Sequence, residues 1–466
     1  MKLDFQDVMG WAGAYSGRSA ILYPRNLNHF LEIIDFADTN KFQISGVGSR
    51  NSMADSVVNN NNLLVSSSKF NKIIKFDPQN GMLIAQSGIT IREILYKTLP
   101  FGWIPKSIPG TLNATIGGCI SNNVHGKDSH RNGNFGNHVL WLDILLASGE
   151  VIRTSFAENI ELFLATVGGI GLTGFILEAA IQLEYIESPN LDCLNIPSKR
   201  IEETYNNIIS SDNFSYAQVW LDATYSLGNC GRGITMLSKF QKTEDFDFKN
   251  INFGSTLEHK SKFFGIVPTN KFWRYSSRFF YPPFIEIVNS IYWHKGKLAS
   301  GSGKKESIPF HKYYFFHNVI GDFYSVYKPP GFLEMQIFIP QVDGLRCTKL
   351  LLSNIKKLGL VSVLSGMKKM KVDDFYISFS GMGSSISFDF PVKHYGISEL
   401  TNLMQPLYRL VKDFGGKINL AKDQAMNSEI FEECYPNHSR FMEIKMKYDP
   451  KLLFSNDMSR RLFSKL

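Results

Sequence analysis

Residues 108–127 read IPGTLNATIGGCISNNVHGK and lie between two strand-like regions of the chain. Five of these positions are glycine or proline, and many of the others carry small hydroxyl or amide side chains. A hydrophobic core could not use such a segment, and a plain connecting loop is rarely this long. Small and polar side chains suit a backbone that lies flat against a large, planar, polar ligand. The segment therefore predicts a ligand-binding surface.

Two further glycine-rich segments flank this one. Residues 45–52 read SGVGSRNS directly after a predicted strand, and residues 167–176 read VGGIGLTGFI before another. Glycines there would let backbone N–H groups close around a phosphate. The first segment lacks the GxGxxG fingerprint, because Asn51 stands where its last glycine would be. One such segment alone is most simply a turn, but three in one unit favour dinucleotide binding over three unrelated loops.

Hydrophobic periodicity predicts α+β structure for the first 186 residues. A helix is predicted from four apolar residues at helical spacing: Phe30, Ile33, Ile34 and Ala37. Residues 89–99 predict a second helix, and residues 138–155 predict a hairpin that turns at a Ser-Gly pair. Ser188-Pro189-Asn190 predicts a boundary, so we expect domains over residues 1–186 and 190–410, with a C-terminal segment over 411–466.

One stretch of the second domain, residues 263–293, is rich in aromatic residues and holds eleven of them. Three cations interrupt the rings: Lys271, Arg274 and Arg278. Its prolines are expected to break any regular element: Pro268, Pro282 and Pro283. Rings interleaved with cations suit a bilayer interface, so we predict a membrane-facing flap rather than packed core. Residues 296–307, GKLASGSGKKES, predict a flexible loop after it.

Composition excludes several classes of protein. The 466 residues are 44% hydrophobic and 20% charged, which excludes a disordered or collagenous chain. The net charge of +8 favours an anionic ligand or a phospholipid surface and requires no nucleic acid. Five scattered cysteines without a CxxC pair predict neither a metal site nor a disulfide framework. Without a signal peptide or an apolar run of about 18 residues, we expect a cytoplasmic protein, peripheral at most to the inner membrane face.

The order of the three glycine-rich segments resembles the flavin-binding domain of the vanillyl-alcohol-oxidase superfamily. Further motifs extend the resemblance to the decaprenylphosphoryl-β-D-ribose 2-oxidase family almost end to end: FGNH at 135–138, GFLEMQIFIP at 331–340, SFDFP at 387–391 and AKD at 421–423. The resemblance implies an α+β fold with two domains. These are a PCMH-type FAD-binding domain of two small α/β subdomains and a mixed α+β substrate cap, with the C-terminal segment returning to the flavin.

The resemblance implies a set of FAD contacts. The pyrophosphate would lie on the first segment, at Gly46, Val47, Gly48, Ser49 and Ser52. The isoalloxazine ring and ribityl chain would lie along the second, at Gly110, Thr111, Thr115, Gly117, Gly118, Asn122, His125 and Gly126. Ile176 would lie near the adenine, and Lys422 would reach the flavin. Covalent members of the superfamily carry a histidine where this chain has Ser49, so we predict non-covalent FAD.

The same resemblance implies catalytic and substrate-binding residues. The catalytic set is Lys422, His125, Gln336 and Tyr314, and the substrate set is Trp220, Tyr314, Lys368, Ser385 and Ser387. Without the resemblance, the two aromatic residues would simply be core. An ammonium at Lys422 would stabilise the negative charge that develops on the flavin as it is reduced.

Residue patterns alone leave alternatives at four of these positions. His125 is equally well a loop residue bonded to backbone. Glu334 and Gln336 share one face of a predicted strand, which either lines a cavity or faces solvent. The run GMKKMK favours a solvated turn at Lys368. Lys422, at the end of the predicted extended piece KINLAKD, would reach water past two apolar neighbours.

The resemblance implies an FAD-dependent oxidation, in cell-wall polysaccharide synthesis, of a lipid-linked sugar phosphate. The secondary hydroxyl at C2 of a polyprenyl-phosphate-linked pentose would become a ketone, and a partner reductase of the short-chain dehydrogenase type would complete an epimerisation. One alternative is a soluble aldonolactone or alditol oxidase of the same superfamily that passes electrons to O₂. Another is a scaffold that has lost its cofactor, which the intact glycine-rich segments argue against.

Overall fold

A computed structural model describes residues 1–224, 230–243, 246–248, 261–263, 266–300, 306–315 and 321–463. Residues 264–265 of the aromatic stretch and residues 301–305 of the predicted flexible loop lie outside the described residues.

The part of the chain that carries the glycine-rich segments consists of short strands and helices, as predicted. Its strands are β1 (Phe5–Met9), β2 (Ser16–Leu22), β3 (Ile44–Val47), β4 (Leu63–Ser66), β5 (Ile73–Asp77), β6 (Met82–Gln86), β7 (Trp103–Ile104), β8 (Val139–Leu145), β9 (Val151–Thr154), β10 (Phe175–Gln182) and β11 (Glu184–Tyr185). Its helices are α1 (Leu27–Asn40), α2 (Ile91–Thr98), α3 (Ile116–Ser121), α4 (Ser129–Asn132) and α5 (Ile160–Thr166).

These strands form two larger sheets. The first has the order β1-β2-β4-β3, in which β4 runs parallel to both of its neighbours. The second has the order β5-β6-β10-β8-β9 and is antiparallel, with the predicted hairpin as β8 and β9. Helix α1 buries the four residues predicted to form its apolar face. The ring of Phe30 on that face lies 4.6 Å from the ring of Phe175 on β10, which joins the two sheets through one core.

The second part of the chain is built on one large sheet. Its strands are β12 (Asn190–Ser198), β13 (Tyr216–Leu221), β14 (Gly233–Phe240), β15 (Lys262–Phe263), β16 (Val267–Pro268), β17 (Glu306–Pro309), β18 (Phe332–Pro340), β19 (Ser365–Met370), β20 (Gly383–Pro391) and β21 (Lys417–Ile418). Its helices are α6 (Ile201–Ile209), α7 (Thr269–Ser276), α8 (Pro282–Ser300), α9 (Phe310–Tyr314), α10 (Gly344–Lys357) and α11 (Ile397–Asp413). Among the described residues the sheet has the order β17-β12-β14-β13-β19-β20-β18-β21. The fold is therefore α+β.

The C-terminal segment returns to the first sheet through α12 (Ser428–Cys434), α13 (His438–Tyr448) and α14 (Asp457–Leu462). The guanidinium of Arg461 holds two buried carboxylates at once. Its Nε lies 2.7 Å from Oδ2 of Asp55, and its Nη1 lies 3.1 Å from Oδ2 of Asp423. These ion pairs hold Asp423, the residue after Lys422, against the loop that follows the first glycine-rich segment.

Three local predictions were wrong. The aromatic stretch does form regular structure, because Pro282 occupies the first position of α8, where a missing N–H costs nothing. Helix α8 continues through residues 296–300, which were predicted as loop. The extended piece KINLAKD ends as a strand at Ile418, and the chain then turns, with the N–H of Lys422 donating to the carbonyl of Asn419.

Helix α8 divides its residues between core and surface. Ile285, Asn289 and Trp293 are buried, and the amide of Asn289 donates to Oδ1 of Asp222 at 3.0 Å. Ile291 and Leu298 are 64% and 81% exposed, so one face of this helix is packed and the other carries apolar side chains at the surface, where the membrane-facing flap stays a prediction. Within the described ranges, every helix is too short or too polar to traverse a lipid bilayer.

Candidate functional site

A cavity of about 880 Å³ lies where the three glycine-rich segments meet the large sheet. Every predicted cofactor, catalytic and substrate residue lines this cavity except His125. Its remaining wall includes polar and charged side chains that the predictions left out: Asn51, Ser67, Ser87, Lys127, Glu334 and Asp389.

Two glycines of these segments lie too close to neighbouring residues to carry a side chain. A Cβ on Gly48 would overlap the hydroxyl of Thr115, and a Cβ on Gly117 would lie 2.8 Å from Cβ of Ser87. The loop after β3 thus packs directly on the start of α3. This approach explains why glycine occurs at both positions, and it leaves backbone groups rather than side chains at the cavity surface.

Several polar atoms of the cavity wall are buried without a partner. Among the described residues, no hydrogen bond satisfies Nδ2 of Asn51, Oγ of Ser67, Oγ of Ser87, Oδ1 of Asn122 or Oγ of Ser385. Unpartnered buried polar atoms are costly and uncommon, so their concentration along one cavity indicates a polar ligand that satisfies them. Their spread from the loop after β3 to β20 fits an elongated ligand such as FAD.

Alternate residues of β18 and β20 line the cavity, and so do residues 365–368 of β19. Strand register places Glu334 opposite Asp389, and Gln336 opposite Ser387. Glu334 and Gln336 are each 4% exposed, so they form a cavity wall and not a solvent face. Lys368 lies on β19 in register with Ser385, so the alternative that the residue pattern favoured, a solvated turn at this lysine, does not hold.

The neighbouring lysine explains how a basic run can belong to a buried strand. Lys369 points away from the cavity and donates to Oδ1 of Asp212 at 2.5 Å. Burial and the charge of Lys422 lower the pKa of Lys368 to about 8. The Lys368 side chain is therefore a cation at neutral pH that readily releases its proton.

A second group of residues fixes the amide of Gln336. Its Oε1 accepts from Nδ2 of Asn419 at 2.7 Å and lies 3.0 Å from Nε2 of His125. Burial and the charges of Lys368 and Lys422 hold the pKa of His125 well below its usual value. The histidine is thus neutral and donates through Nε2. It bonds to a side chain rather than to backbone, and it contacts Gln336 from outside the cavity.

Comparison with known proteins agrees with this geometry. A family model described as an FAD binding domain matches residues 19–155, and one for D-arabinono-1,4-lactone oxidase matches residues 369–462. The chain is 28% identical over 416 residues to the decaprenylphosphoryl-beta-D-ribose oxidase of Mycolicibacterium smegmatis, covering 88% of this chain and 87% of that protein. It belongs to the vanillyl-alcohol-oxidase-type flavoproteins. FAD is its cofactor, and it is an FAD-dependent oxidoreductase.

Other relatives of this flavoprotein align over shorter regions. L-gulonolactone oxidase of Scyliorhinus torazame is 24% identical over 173 residues, covering 37% of this chain and 39% of that protein. Cytokinin dehydrogenase 1 of Arabidopsis thaliana is 27% identical over 193 residues, covering 39% of this chain and 34% of that protein.

Two aromatic residues of the cavity wall contact neighbouring parts of the flavoprotein. The hydroxyl of Tyr314 donates to the carbonyl of Ile108 and accepts from the backbone N–H of Lys127 at 3.2 Å. Burial keeps the pKa of Tyr314 well above its usual value, so it stays a donor. The ring of Trp220 lies 4.8 Å from the ring of Tyr292 on α8, so the helix with the exposed apolar face also forms part of the cavity wall.

Lys127, Glu334 and Asp389 were not among the predicted site residues. The Nζ of Lys127 donates to the carbonyls of Tyr313 and Tyr314 at 2.6 and 3.0 Å, and burial lowers its pKa to about 7. The Nζ of Lys422 lies 2.6 Å from Oε1 of Glu334. Burial and the charge of Glu334 raise the pKa of Asp389 well above its usual value. Sequence carried a signal for the side chain of Glu334 through its alternation with Gln336, whereas Lys127 and Asp389 stood inside quoted motifs without a role assigned to them.

Proposed function

We propose that this flavoprotein oxidises the C2 hydroxyl of a polyprenyl-phosphate-linked pentose to the 2-keto sugar. A partner reductase of the short-chain dehydrogenase type would then complete an epimerisation. The observation that carries the proposal is the extent of the similarity to the decaprenylphosphoryl-beta-D-ribose oxidase, which covers 88% of this chain and so includes cofactor segments and large sheet alike. The similarity to L-gulonolactone oxidase covers only 37% of this chain.

The cavity has the groups that such a substrate needs. Lys368 and Lys422 supply positive charge for a phosphate or for sugar oxygens, and Ser385 and Ser387 supply hydroxyl groups on the adjacent strand. Gln336, held by His125 and Asn419, would orient the sugar or the cofactor ring. Bound FAD supplies the acceptor for the hydride that leaves the carbinol carbon.

An ammonium in this cavity would have a defined role in the proposed reaction. Lys422 is held by Glu334 at 2.6 Å and is 26% exposed, so it is already oriented before substrate binds. A preorganised charge of this kind stabilises developing negative charge without reorganising during the reaction.

The exposed side of α7, α8 and the connecting residues 277–281 suits the lipid part of the substrate. It carries large apolar side chains that are at least half exposed: Tyr275, Phe279, Tyr281, Ile287, Ile291 and Leu298. Three exposed cations lie on the same stretch: Lys271, Arg274 and Arg278. Rings and aliphatic groups would enter the headgroup region of a bilayer while the cations meet anionic lipid. Because Tyr292 of α8 lines the cavity, the lipid tail would lie between the cavity and the membrane.

An anaerobic single-turnover experiment tests the substrate. The FAD-loaded protein is mixed with a prenylphosphoryl-β-D-ribose of short prenyl chain, and flavin absorbance and product mass are followed. We expect flavin bleaching and a product lighter by two hydrogens. The Lys368→Met variant should bind this substrate about 10- to 100-fold more weakly, the range of a lost hydrogen bond to a charged group. Lys369→Met, on the same strand but facing away from the cavity, is the matched control.

The alternative is an aldonolactone or alditol oxidase that uses O₂. Its support is the D-arabinono-1,4-lactone oxidase family model that matches residues 369–462. Bleaching by an aldonolactone but not by the prenylphosphoryl pentose, with rapid reoxidation in air, would decide for this alternative.

A further inference from the structure

Two carboxylates face each other across neighbouring strands in the wall of the cavity. Glu334 on β18 is in register with Asp389 on β20, and both side chains line the cavity. The two residues are 4% and 3% exposed. Side chains directly opposite on an antiparallel pair have Cβ atoms about 4.5–5.5 Å apart, so like charges at these positions repel strongly when buried.

The two carboxylates have different charged and hydrogen-bonding neighbours. Glu334 has the ammonium of Lys422 at 2.6 Å, so its negative charge is compensated. Asp389 accepts a hydrogen bond from the hydroxyl of Tyr327 at 3.2 Å, which leaves its second oxygen for another partner. Burial and the facing charge of Glu334 raise the pKa of Asp389, while Lys422 and the Tyr327 hydroxyl lower it.

Two further charged or titratable groups complete the surroundings of Asp389. Tyr324, from the segment that also holds Tyr327, faces both carboxylates and remains a neutral phenol because its own pKa is raised well above the usual value. Lys368 on β19 faces Glu334 and Lys422. A carboxylate made more basic by its surroundings, in a cavity where an alcohol loses a proton, has the properties of a general base.

We propose that Asp389 is the proton acceptor in the oxidation, with Glu334 as the residue that keeps it basic. The O–H proton of the substrate would pass to a carboxylate oxygen of Asp389 as the C–O bond becomes C=O, and bound FAD would supply the acceptor for the hydride of the carbinol carbon. Among the other candidate bases, Lys368 also lines the cavity, but it is a cation at neutral pH and is tested by its own variant below. The rest are occupied. Tyr314 donates to a carbonyl, Lys127 donates to two, and His125 is bonded to Gln336 and does not line the cavity. This inference rests on the part of the proposed function that makes the substrate an alcohol.

The pH dependence of flavin reduction tests the assignment. Asp389 must be ionised to accept a proton, so the single-turnover rate should rise with pH. We call this rise the acid limb, and its apparent pKa should lie above that of an ordinary carboxyl group. Asp389→Asn should remove the acid limb and slow reduction by a factor of about 10² to 10⁴, the usual contribution of a general base. Glu334→Gln removes the facing negative charge, so the acid limb should move to lower pH. Lys422→Met removes a cation, so the limb should move to higher pH.

A second measurement needs no substrate. Infrared difference spectra between acidic and alkaline pH should show a protonated carboxyl that titrates above the ordinary range and is lost in Asp389→Asn. Asp373→Asn is the matched control, because Asp373 is a carboxyl whose pKa burial also raises, but it is bonded to Asn123 and Ser378 and does not line the cavity. This variant should lose its own infrared signal and keep the acid limb of reduction.

The outcomes separate this inference from the proposed substrate. If only an aldonolactone or alditol reduces the flavin, the lipid-linked substrate is wrong, and the pH profile with that alcohol still decides the role of Asp389. If Asp389→Asn does not fold or bind FAD, the opposite shifts in Glu334→Gln and Lys422→Met support Asp389 only when the acid limb persists in Lys368→Met, because the pKa of Lys368 responds to the same two charges. Loss of the acid limb in Lys368→Met would overturn the assignment. An acid limb that stays fixed in both variants, or an infrared spectrum unchanged in Asp389→Asn, would overturn the assignment.

Discussion

Replacing Lys422 with methionine removes an ammonium from the cavity while keeping a side chain of similar length. The Nζ of Lys422 lies 2.6 Å from Oε1 of Glu334, and the two side chains are 26% and 4% exposed. The substitution therefore has two effects. It removes the charge proposed to stabilise the reduced cofactor, and it leaves a buried carboxylate without its partner. The second effect follows only from the structure, because sequence did not pair these residues.

The two effects differ in size and in the quantity they change. At 2.6 Å and an effective dielectric constant of about 20, the attraction between the two charges is about 6 kcal/mol, most of which desolvation offsets. Breaking a buried pair usually costs about 3–5 kcal/mol, and the partial exposure of Lys422 puts our expectation near 3 kcal/mol of unfolding free energy. Loss of a preorganised charge should slow flavin reduction by a factor of about 10² to 10³.

A double variant separates stability from chemistry. Thermal unfolding should show Lys422→Met as destabilised, and Lys422→Met with Glu334→Gln as largely restored, because no unpaired buried charge remains. Stopped-flow reduction, measured at a pH above the acid limb, should be slow in both variants. Reduction of Lys422→Met at the wild-type rate would refute the reasoning. Recovery of the rate in the double variant would show that Lys422 acts only by neutralising Glu334.

Two further predictions concern the cofactor and the membrane. Because Ser49 stands at the attachment point of covalent relatives, acid precipitation should release all flavin into the supernatant, and fluorescence that stays with the denatured band on a gel would contradict this. Exchanging both Ile287 and Ile291 for glutamate should weaken co-sedimentation with anionic vesicles and leave flavin content unchanged, because these side chains are 56% and 64% exposed on α8. Val342→Glu, at a residue that is 95% exposed, is the matched control, and equal sedimentation of all three proteins would refute the membrane contact.

The lysines illustrate where reading the sequence succeeds and fails. The run GMKKMK has the composition of a solvated turn, yet Lys368 and Lys369 alternate across a strand and each faces a different set of partners. The composition of a short run does not show which strands pair with it in the folded sheet. The same limit applies to Lys422, whose direction is set by a turn after Ile418 and not by strand alternation.

Sequence by itself determined the features that depend on neighbouring residues. The three glycine-rich segments and the apolar spacing of α1 are each patterns within one stretch of the chain, so the cofactor class and the α+β fold could be predicted. Only the tertiary structure decided which charges meet. The pairing of Glu334 with Asp389 depends on the register of two strands far apart in the chain, and the ammonium of Lys422 reaches them from a third element. Electrostatic energies in a buried site depend on these distances and on the exclusion of water, and neither is encoded in any single stretch of residues.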